Sequence, residues 1–354
     1  MKIAVVGVGY WGPNLVRNLS VLIGPDSVVV VDRSAARIAA ISAQHPSVTG
    51  CLSLEEALAD DQVEAVIVAT PVTLHADIAK RSLEAGRHVL VEKPLAASVA
   101  EAAELVVCAE VQDRILMVGH TFLFSPRVEA MADYLRSGRL GQVQYATSSR
   151  LNLGLHQHDI GVIWDLAPHD FSILFHLLGE FPTSVQTSGR ATVRTDSLDV
   201  AFINMTFASG IVASVDVSWL APRKIRNTVV VGDQQMMVYD DLDSEEPVKI
   251  YDKGVVMPDP ENFGEHQLTY RHGDMLAPYV PAREPLAQEL SHFLSCMSGT
   301  EACRSDGRFG LGVVEALEGA ERSWQQGGLP VEIGSIRDEE IGSNFVTAPF
   351  RLVL

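Results

Sequence analysis

The stretch Lys2-Ile3-Ala4-Val5-Val6-Gly7-Val8-Gly9-Tyr10-Trp11-Gly12-Pro13 decides the fold. Ile3–Val6 is short, apolar and mostly β-branched, the pattern of a parallel strand covered on both faces. A Gly-x-Gly-x-x-Gly run follows, and Pro13 suits the first turn of a helix. Each glycine has a physical task. Gly7 allows the tight turn out of the strand, Gly9 lets the backbone approach a diphosphate, and Gly12 lets the helix pack closely on the strand. The helix N-terminus then offers unbonded N–H groups and a partial positive charge to phosphates. Asp32 falls 20 residues beyond Gly12, after the apolar run Val28–Val31. An acidic group there takes ribose hydroxyls. Strand, glycine turn, helix, strand and acid together predict a domain that holds a nicotinamide dinucleotide. Asp32 favours NAD, because a carboxylate repels the 2′-phosphate of NADP. The neighbouring Arg33 either pairs with such a phosphate or stacks on the adenine.

The alternation continues beyond this stretch. Ala65–Ala69, His88–Val91 and Ile115–Val118 read as further parallel strands. Between them, Ser53-x-x-Glu56 and Ser98-x-x-Glu101 read as capping boxes, and Gly86 closes a helix over His75–Ala85. Thr70, Pro71 and His75 follow the fourth strand, where a dinucleotide crosses the sheet, and are expected to touch it. After about residue 122 the texture changes. Helices are expected over Pro126–Arg136 and Leu166–Leu178. Strands are expected over Ser184–Val193, Val200–Phe207, Ile211–Ser218, Thr228–Val231, Met236–Tyr239 and Lys249–Tyr251. Pro258–Pro281 reads as a long loop, and helices return at Pro285–Met297 and Phe309–Trp324. The expected fold is α/β: a doubly wound Rossmann domain over 1–121, an α+β domain with an open, mostly antiparallel sheet over 122–334, and a tail over 335–354.

Composition narrows the classes. With 27 Lys and Arg against 45 Asp and Glu, the formal net charge of the 354-residue chain is −18. Such a chain is a poor partner for nucleic acid or an anionic membrane. No apolar run approaches the ~18 residues that span a bilayer. The four cysteines form no Cys-x-x-Cys pair, so they read as reduced thiols of a cytoplasmic protein, with no metal expected. His156-x-His158 reads as loop rather than as a metal site.

Two further motifs narrow the chemistry: Glu92-Lys93-Pro94 after a strand, and Asp165-Leu166-Ala167-Pro168-His169-Asp170 on a helix. With Gly-Val-Gly-Tyr-Trp-Gly at 7–12, Ala69-Thr70-Pro71, Gly119-His120-Thr121-Phe122 and Glu284-Pro285-Leu286, the chain closely resembles the glucose-fructose oxidoreductase / inositol dehydrogenase / MocA family. The resemblance implies that Lys93, Asp165 and His169 form the catalytic set. It adds Tyr10, Trp11 and Glu92, with Lys93, to the cofactor contacts. Asp165 and His169 stand at i and i+4, on one helix face. Oxidation of a secondary alcohol needs the hydroxyl proton removed, a task for a group titrating near neutrality such as His169. Lys93 then stabilises the developing alkoxide. His120, Arg150 and Asn152, with Lys93, Asp165 and His169, are the candidate substrate contacts. The basic residues Arg223, Lys224 and Arg226, beside Trp219, form a candidate cluster for a nucleotide-sugar diphosphate.

The reading that follows is an NAD-dependent oxidoreductase acting on a sugar-like secondary hydroxyl or ketone, with a nucleotide sugar or amino sugar of a biosynthetic pathway preferred. The alternatives are a free-sugar or inositol dehydrogenase, and a non-catalytic dinucleotide-sensing regulator. A homodimer or homotetramer is expected, because an open sheet leaves one face to cover.

Overall fold

The computed structural model describes residues 1–154, 160–193, 197–256 and 269–334. Its contacts separate the chain into two units. Met1–Ser125 groups with Arg283–Glu318, and Pro126–Ala282 groups with the segment that starts at Gly319. This differs from the expected division at residue 121, because the chain returns late to the first unit.

The first unit is built on a parallel sheet of β1 (Lys2–Val6), β2 (Val28–Val31), β3 (Thr49–Cys51), β4 (Val63–Val68), β5 (His88–Glu92) and β6 (Leu116–Gly119), in the order β3-β2-β1-β4-β5-β6. Val6 pairs with Val31 on one side and Val68 on the other. The strand order therefore reverses at β1, and a doubly wound sheet binds its ligand at that switch point, beyond the carboxyl ends of the strands. The helices are α1 (Gly12–Ile23), α2 (Ala35–Gln44), α3 (Leu54–Leu58), α4 (His75–Glu84) and α5 (Val99–Val111). Ser34, Ser53 and Ser98 cap α2, α3 and α5 by accepting the N–H three residues on. Glu56 and Glu101 reach back one residue past the capping serines, accepting the N–H groups of Leu52 and Ala97. α1 and α4 are the exceptions: Trp11 and Leu74 at their N-caps make no side-chain cap.

In the second unit, α6 (Pro126–Arg136) and α7 (Val162–Leu178) accompany a nine-stranded sheet. Its strands are β7 (Val143–Leu153), β8 (Pro182–Arg190), β9 (Val200–Phe207), β10 (Val212–Ser218), β11 (Leu220–Gly232), β12 (Met236–Asp240), β13 (Val248–Val256), β14 (Thr269–Leu276) and β15 (Val331–Glu332), ordered β14-β13-β12-β11-β7-β10-β9-β8-β15. Among these pairings β7–β10 alone is parallel. Along β9, Ala201, Ile203, Met205 and Phe207 are buried while Phe202, Asn204 and Thr206 are exposed. That two-residue period is the mark of a sheet with one covered face.

Two expectations need correcting. Pro258–Pro281 is not all loop, since β14 occupies Thr269–Leu276 and pairs with β13. The expected strands also omit β7, which carries Arg150 and Asn152. His156 and His158 lie outside the described residues. The remaining helices, α8 (Pro285–Met297) and α9 (Gly307–Gln325), follow the late return. Glu284 ties α8 to α1 through Arg17 at 2.5 Å and Asn18 at 3.1 Å. Among the described residues no helix is long and apolar enough to cross a membrane.

Candidate active site

The glycine loop has the shape its sequence predicts. Gly7 sits at φ +93°, and a Cβ there would come 2.6 Å from the Ala69 carbonyl oxygen. A Cβ on Gly12 would lie 2.3 Å from the Gly7 carbonyl oxygen. Gly9 differs: within 4 Å its Cβ would meet the Arg37 guanidinium at 3.9 Å and nothing else described. That open face above an uncapped helix N-terminus fits a diphosphate. The Asp32 carboxylate accepts the Val8 N–H at 3.1 Å and the Ser34 N–H at 2.8 Å, pinning the loop to the end of β2. Arg33 is exposed. The arginine beside the acid is instead Arg37, on α2, at 3.5 Å.

Thr70 and Pro71 border the same loop; the Thr70 methyl would stand 3.0 Å from a Cβ on Gly7. His75 has a different task from the one expected. It is 2 % exposed, with Nε2 at 2.8 Å from the Thr70 carbonyl and Nδ1 at 2.8 Å from the Pro94 carbonyl. Burial pushes its pKa down, so the ring is neutral and has one proton for two carbonyls. It braces the turn after β4 against the turn after β5, rather than facing a ligand.

At the end of β5, Glu92 and Lys93 head a cluster of ionisable groups. Tyr10 is almost wholly exposed, whereas the half-exposed Trp11 donates a hydrogen bond to Glu92. Burial raises the Glu92 carboxyl to about 7, although Lys93 and the Trp11 bond pull it down. Glu289, on α8, is 0 % exposed, and burial and the charge of Glu92 hold it well above the carboxylate range. Thr121 donates to it at 3.0 Å. Near neutrality the pair carries at most about one negative charge, balanced by Lys93. His120 is 1 % exposed and packs edge-on to Phe309 at 5.6 Å. Burial first and Lys93 second depress it to about 3, so it is neutral. Among the described residues neither of its ring nitrogens has a hydrogen-bond partner.

Glu289 was missed in the sequence, though a signal existed. The buried stripe of α8 runs Leu286, Glu289, Leu290, Phe293, and a carboxyl on an apolar stripe asks for a reason. A test follows from Glu92. A carboxyl held near 7 in the folded state and near 4.5 when unfolded lowers stability as pH rises through that window. Glu92→Gln is therefore expected to gain stability relative to the parent chain from pH 5 to pH 8. Chemical denaturation at the two pH values measures it, and an equal difference at both would contradict the assignment.

The second unit presents the other motif. From Val162 to Phe175, every side chain of α7 is buried except Asp165, Leu166 and His169. The partly open strip of the helix is thus the predicted i, i+4 pair and the residue between. The indole N–H of Trp219 donates to Asp165 Oδ2 at 3.0 Å, and Trp219 is itself 1 % exposed. Trp219 thus positions the acid and is not part of an exposed basic cluster. Arg223 and Lys224 are exposed, and Arg226 pairs with Asp241 at 3.3 Å. Asn152 stands at the edge of the Trp219 ring: a Cβ on Gly154 would meet Trp219 at 2.7 Å and Asn152 Oδ1 at 3.1 Å.

Arg150 is not placed as a substrate contact. Its Nε donates to Asp170 at 2.6 Å, with side chains 6 % and 3 % exposed, and Ser148 donates to the same carboxylate at 2.7 Å. This pair locks β7 to α7 at the residue that follows His169. Asp170 was visible in the motif, but its partner, 20 residues away on a strand, was not.

A Rossmann unit with an open glycine loop, together with a second unit displaying an acid and a histidine on one helix strip, defines a dinucleotide-dependent oxidoreductase. Residues 1–120 match the family described as "Oxidoreductase family, NAD-binding Rossmann fold", and residues 128–238 match the GFO/IDH/MocA C-terminal domain. The chain belongs to the GFO/IDH/MocA family and is an NAD(P)-dependent dehydrogenase. It is 28% identical over 323 residues to UDP-N-acetylglucosamine 3-dehydrogenase of Acidithiobacillus ferrooxidans, covering 89% of this chain and 95% of that protein. A solved structure of that enzyme superposes with a TM-score of 0.75 over 91% of this chain and 97% of that one. The structure of GenD2 from gentamicin A biosynthesis, in complex with NAD, is 25% identical with a TM-score of 0.77, covering 95% and 97%. Inositol 2-dehydrogenase of an Arthrobacter strain is 30% identical over 233 residues, 61% of this chain and 66% of that protein.

Proposed function

We propose that the chain oxidises a secondary ring hydroxyl of a nucleotide-linked amino sugar with NAD as the acceptor. The observation that carries the reading is the strip on α7, where Asp165 and His169, with Leu166, stay partly exposed while the rest of Val162–Phe175 is buried. Likeness over nearly the full length to an enzyme named for UDP-N-acetylglucosamine supports the substrate class. Asp32 beside the glycine loop supports NAD.

The residues divide the labour by chemistry. His169 accepts the hydroxyl proton as the carbinol becomes a carbonyl. Asp165, oriented by Trp219, holds His169 or a neighbouring hydroxyl in register. Lys93 sets a positive charge against the oxygen as it becomes an alkoxide. Gly7, Gly9, Gly12, Asp32, Thr70 and Pro71 hold the dinucleotide, which when bound supplies the hydride acceptor. Asn152 and His120 are assigned to sugar hydroxyls. Two or four copies of the chain assemble, covering the open face that bears Phe202.

The test follows reduced nicotinamide with UDP-N-acetylglucosamine, free N-acetylglucosamine and myo-inositol. The nucleotide sugar should lead in kcat/KM by on the order of 100-fold, because remote binding energy is expressed at the reacting carbon. Preference for inositol would overturn the substrate class. Asp32→Ser should weaken NAD binding by roughly 10- to 100-fold, the worth of a charged hydrogen bond, and NADP binding much less.

A further inference from the structure

We propose that the first unit carries a second site, unrelated to the dinucleotide, in which His292, Cys296 and Cys303 bind a thiophilic divalent ion of the zinc class. One nitrogen of His292 and the two sulfurs all lie within 4.8 Å of one another. His292 Nε2 is 3.3 Å from Cys296 Sγ. These are separations that a tetrahedral ion with zinc–sulfur bonds near 2.3 Å and zinc–nitrogen bonds near 2.0 Å closes without large movement. Two thiols and one imidazole are also the donor types that such an ion selects over magnesium or calcium.

The imidazole is set up as a ligand. His292 Nδ1 stands 2.7 Å from the Glu301 carboxylate, and the Arg304 backbone N–H donates to Nε2 at 3.0 Å. An Nε2 that accepts cannot carry the proton, so the proton is on Nδ1 and is given to Glu301. That is the tautomer and the outer carboxylate that metal-bound histidines use. The Nε2 lone pair is shared by the Arg304 amide and the Cys296 thiol, and an ion bound to Nε2 and the thiolates replaces both hydrogen bonds. The ring is held in place by Phe124, with centroids 5.2 Å apart.

The sequence hides this set because its spacing is unusual. His292 and Cys296 are four apart, so α8 presents them on one face. Cys303 comes from the following loop, whose next residues are fixed by the Ser305–Val118 bond and the Met117–Asp306 bridge. Cys296 and Cys303 also line a cavity of about 670 Å³ with Arg114, Asp306 and Arg308. The cavity gives an ion a way in and gives its fourth position a water. His88 and Leu116, the first residues of β5 and β6, line it too. It therefore lies at the opposite end of those strands from Glu92, Lys93 and His120.

The experiment uses the full chain, reduced, stripped with chelator and desalted. Zinc is titrated against a chromophoric chelator, and cobalt is titrated as the spectroscopic probe. One equivalent of zinc should bind, and cobalt should give a thiolate charge-transfer band. Cys296→Ser and Cys303→Ser should each lose the band, while Cys51→Ser and Cys108→Ser should keep it. Glu301→Gln should weaken zinc binding by roughly 10- to 100-fold, the usual effect of removing an outer partner. Absence of both binding and band in the parent chain would overturn the proposal, and so would a band that survives the double Cys296→Ser, Cys303→Ser change. A Cys296–Cys303 disulfide in the protein as isolated, refilled by no metal after reduction, would overturn it as well.

Discussion

Lys93→Ala is expected to lower kcat by about 10²–10³, the range seen when a single preorganised donor to a developing oxyanion is lost. Dinucleotide affinity should be nearly unchanged, because the proposed function assigns the diphosphate to the glycine loop and α1, and the ribose to Asp32. The split between turnover and affinity is the informative part. Lys93 is also the counter-charge of Glu92 and a neighbour of His120. Removing it should push the Glu92–Glu289 pair further toward its protonated form and relieve His120. Stopped turnover and equilibrium NADH binding, measured on the same preparation, check this. A large loss of NADH affinity with normal kcat would place Lys93 in cofactor binding alone.

Asp170→Ala is expected to destabilise the fold by about 3–5 kcal/mol, because it leaves the Arg150 guanidinium buried without its carboxylate. The same change removes the acceptor of Ser148. Replacing both members, as in Arg150→Met with Asp170→Leu, should recover most of the loss, since a matched apolar pair avoids the desolvation cost. Denaturant unfolding of the single and double variants measures the difference. If Asp170→Ala alone cost less than about 1 kcal/mol, the range of an exposed pair, the buried lock would be discounted. Asp170 follows His169 on α7, so part of the activity loss in this variant would be a positioning effect. kcat/KM should then fall together with stability and return in the double change.

What could be read from the sequence was what is local. The glycine loop, Asp32, the capping serines and the strand cores are set by neighbours a few residues apart, and β2, β9, α6 and α8 fall near or at their expected bounds. The i, i+4 placing of Asp165 and His169 was legible for the same reason. What escaped depends on chain returning from far away. Glu289 reaches Thr121 across 168 residues, and Arg150 finds Asp170 only once β7 and α7 are packed. His75 looked like a ligand contact because its position after β4 is the right one, and only burial shows that two carbonyls take its ring. Arg33 was the adjacent arginine, but one turn of α2 brings Arg37 to Asp32 instead.

The proposed function requires that Lys93, after β5, and His169, on α7, act on one carbinol. A double-mutant cycle on kcat/KM tests it most directly, with Lys93→Ala, His169→Ala and the pair assayed on the best substrate found. Removing the proton acceptor alone should cost about 10²–10⁴. Groups that act as a unit are strongly non-additive, so the double variant should be no slower than the slower single variant by more than a few-fold. Losses that multiply fully, or a His169→Ala variant with unchanged turnover and an unchanged pH profile, would contradict the account.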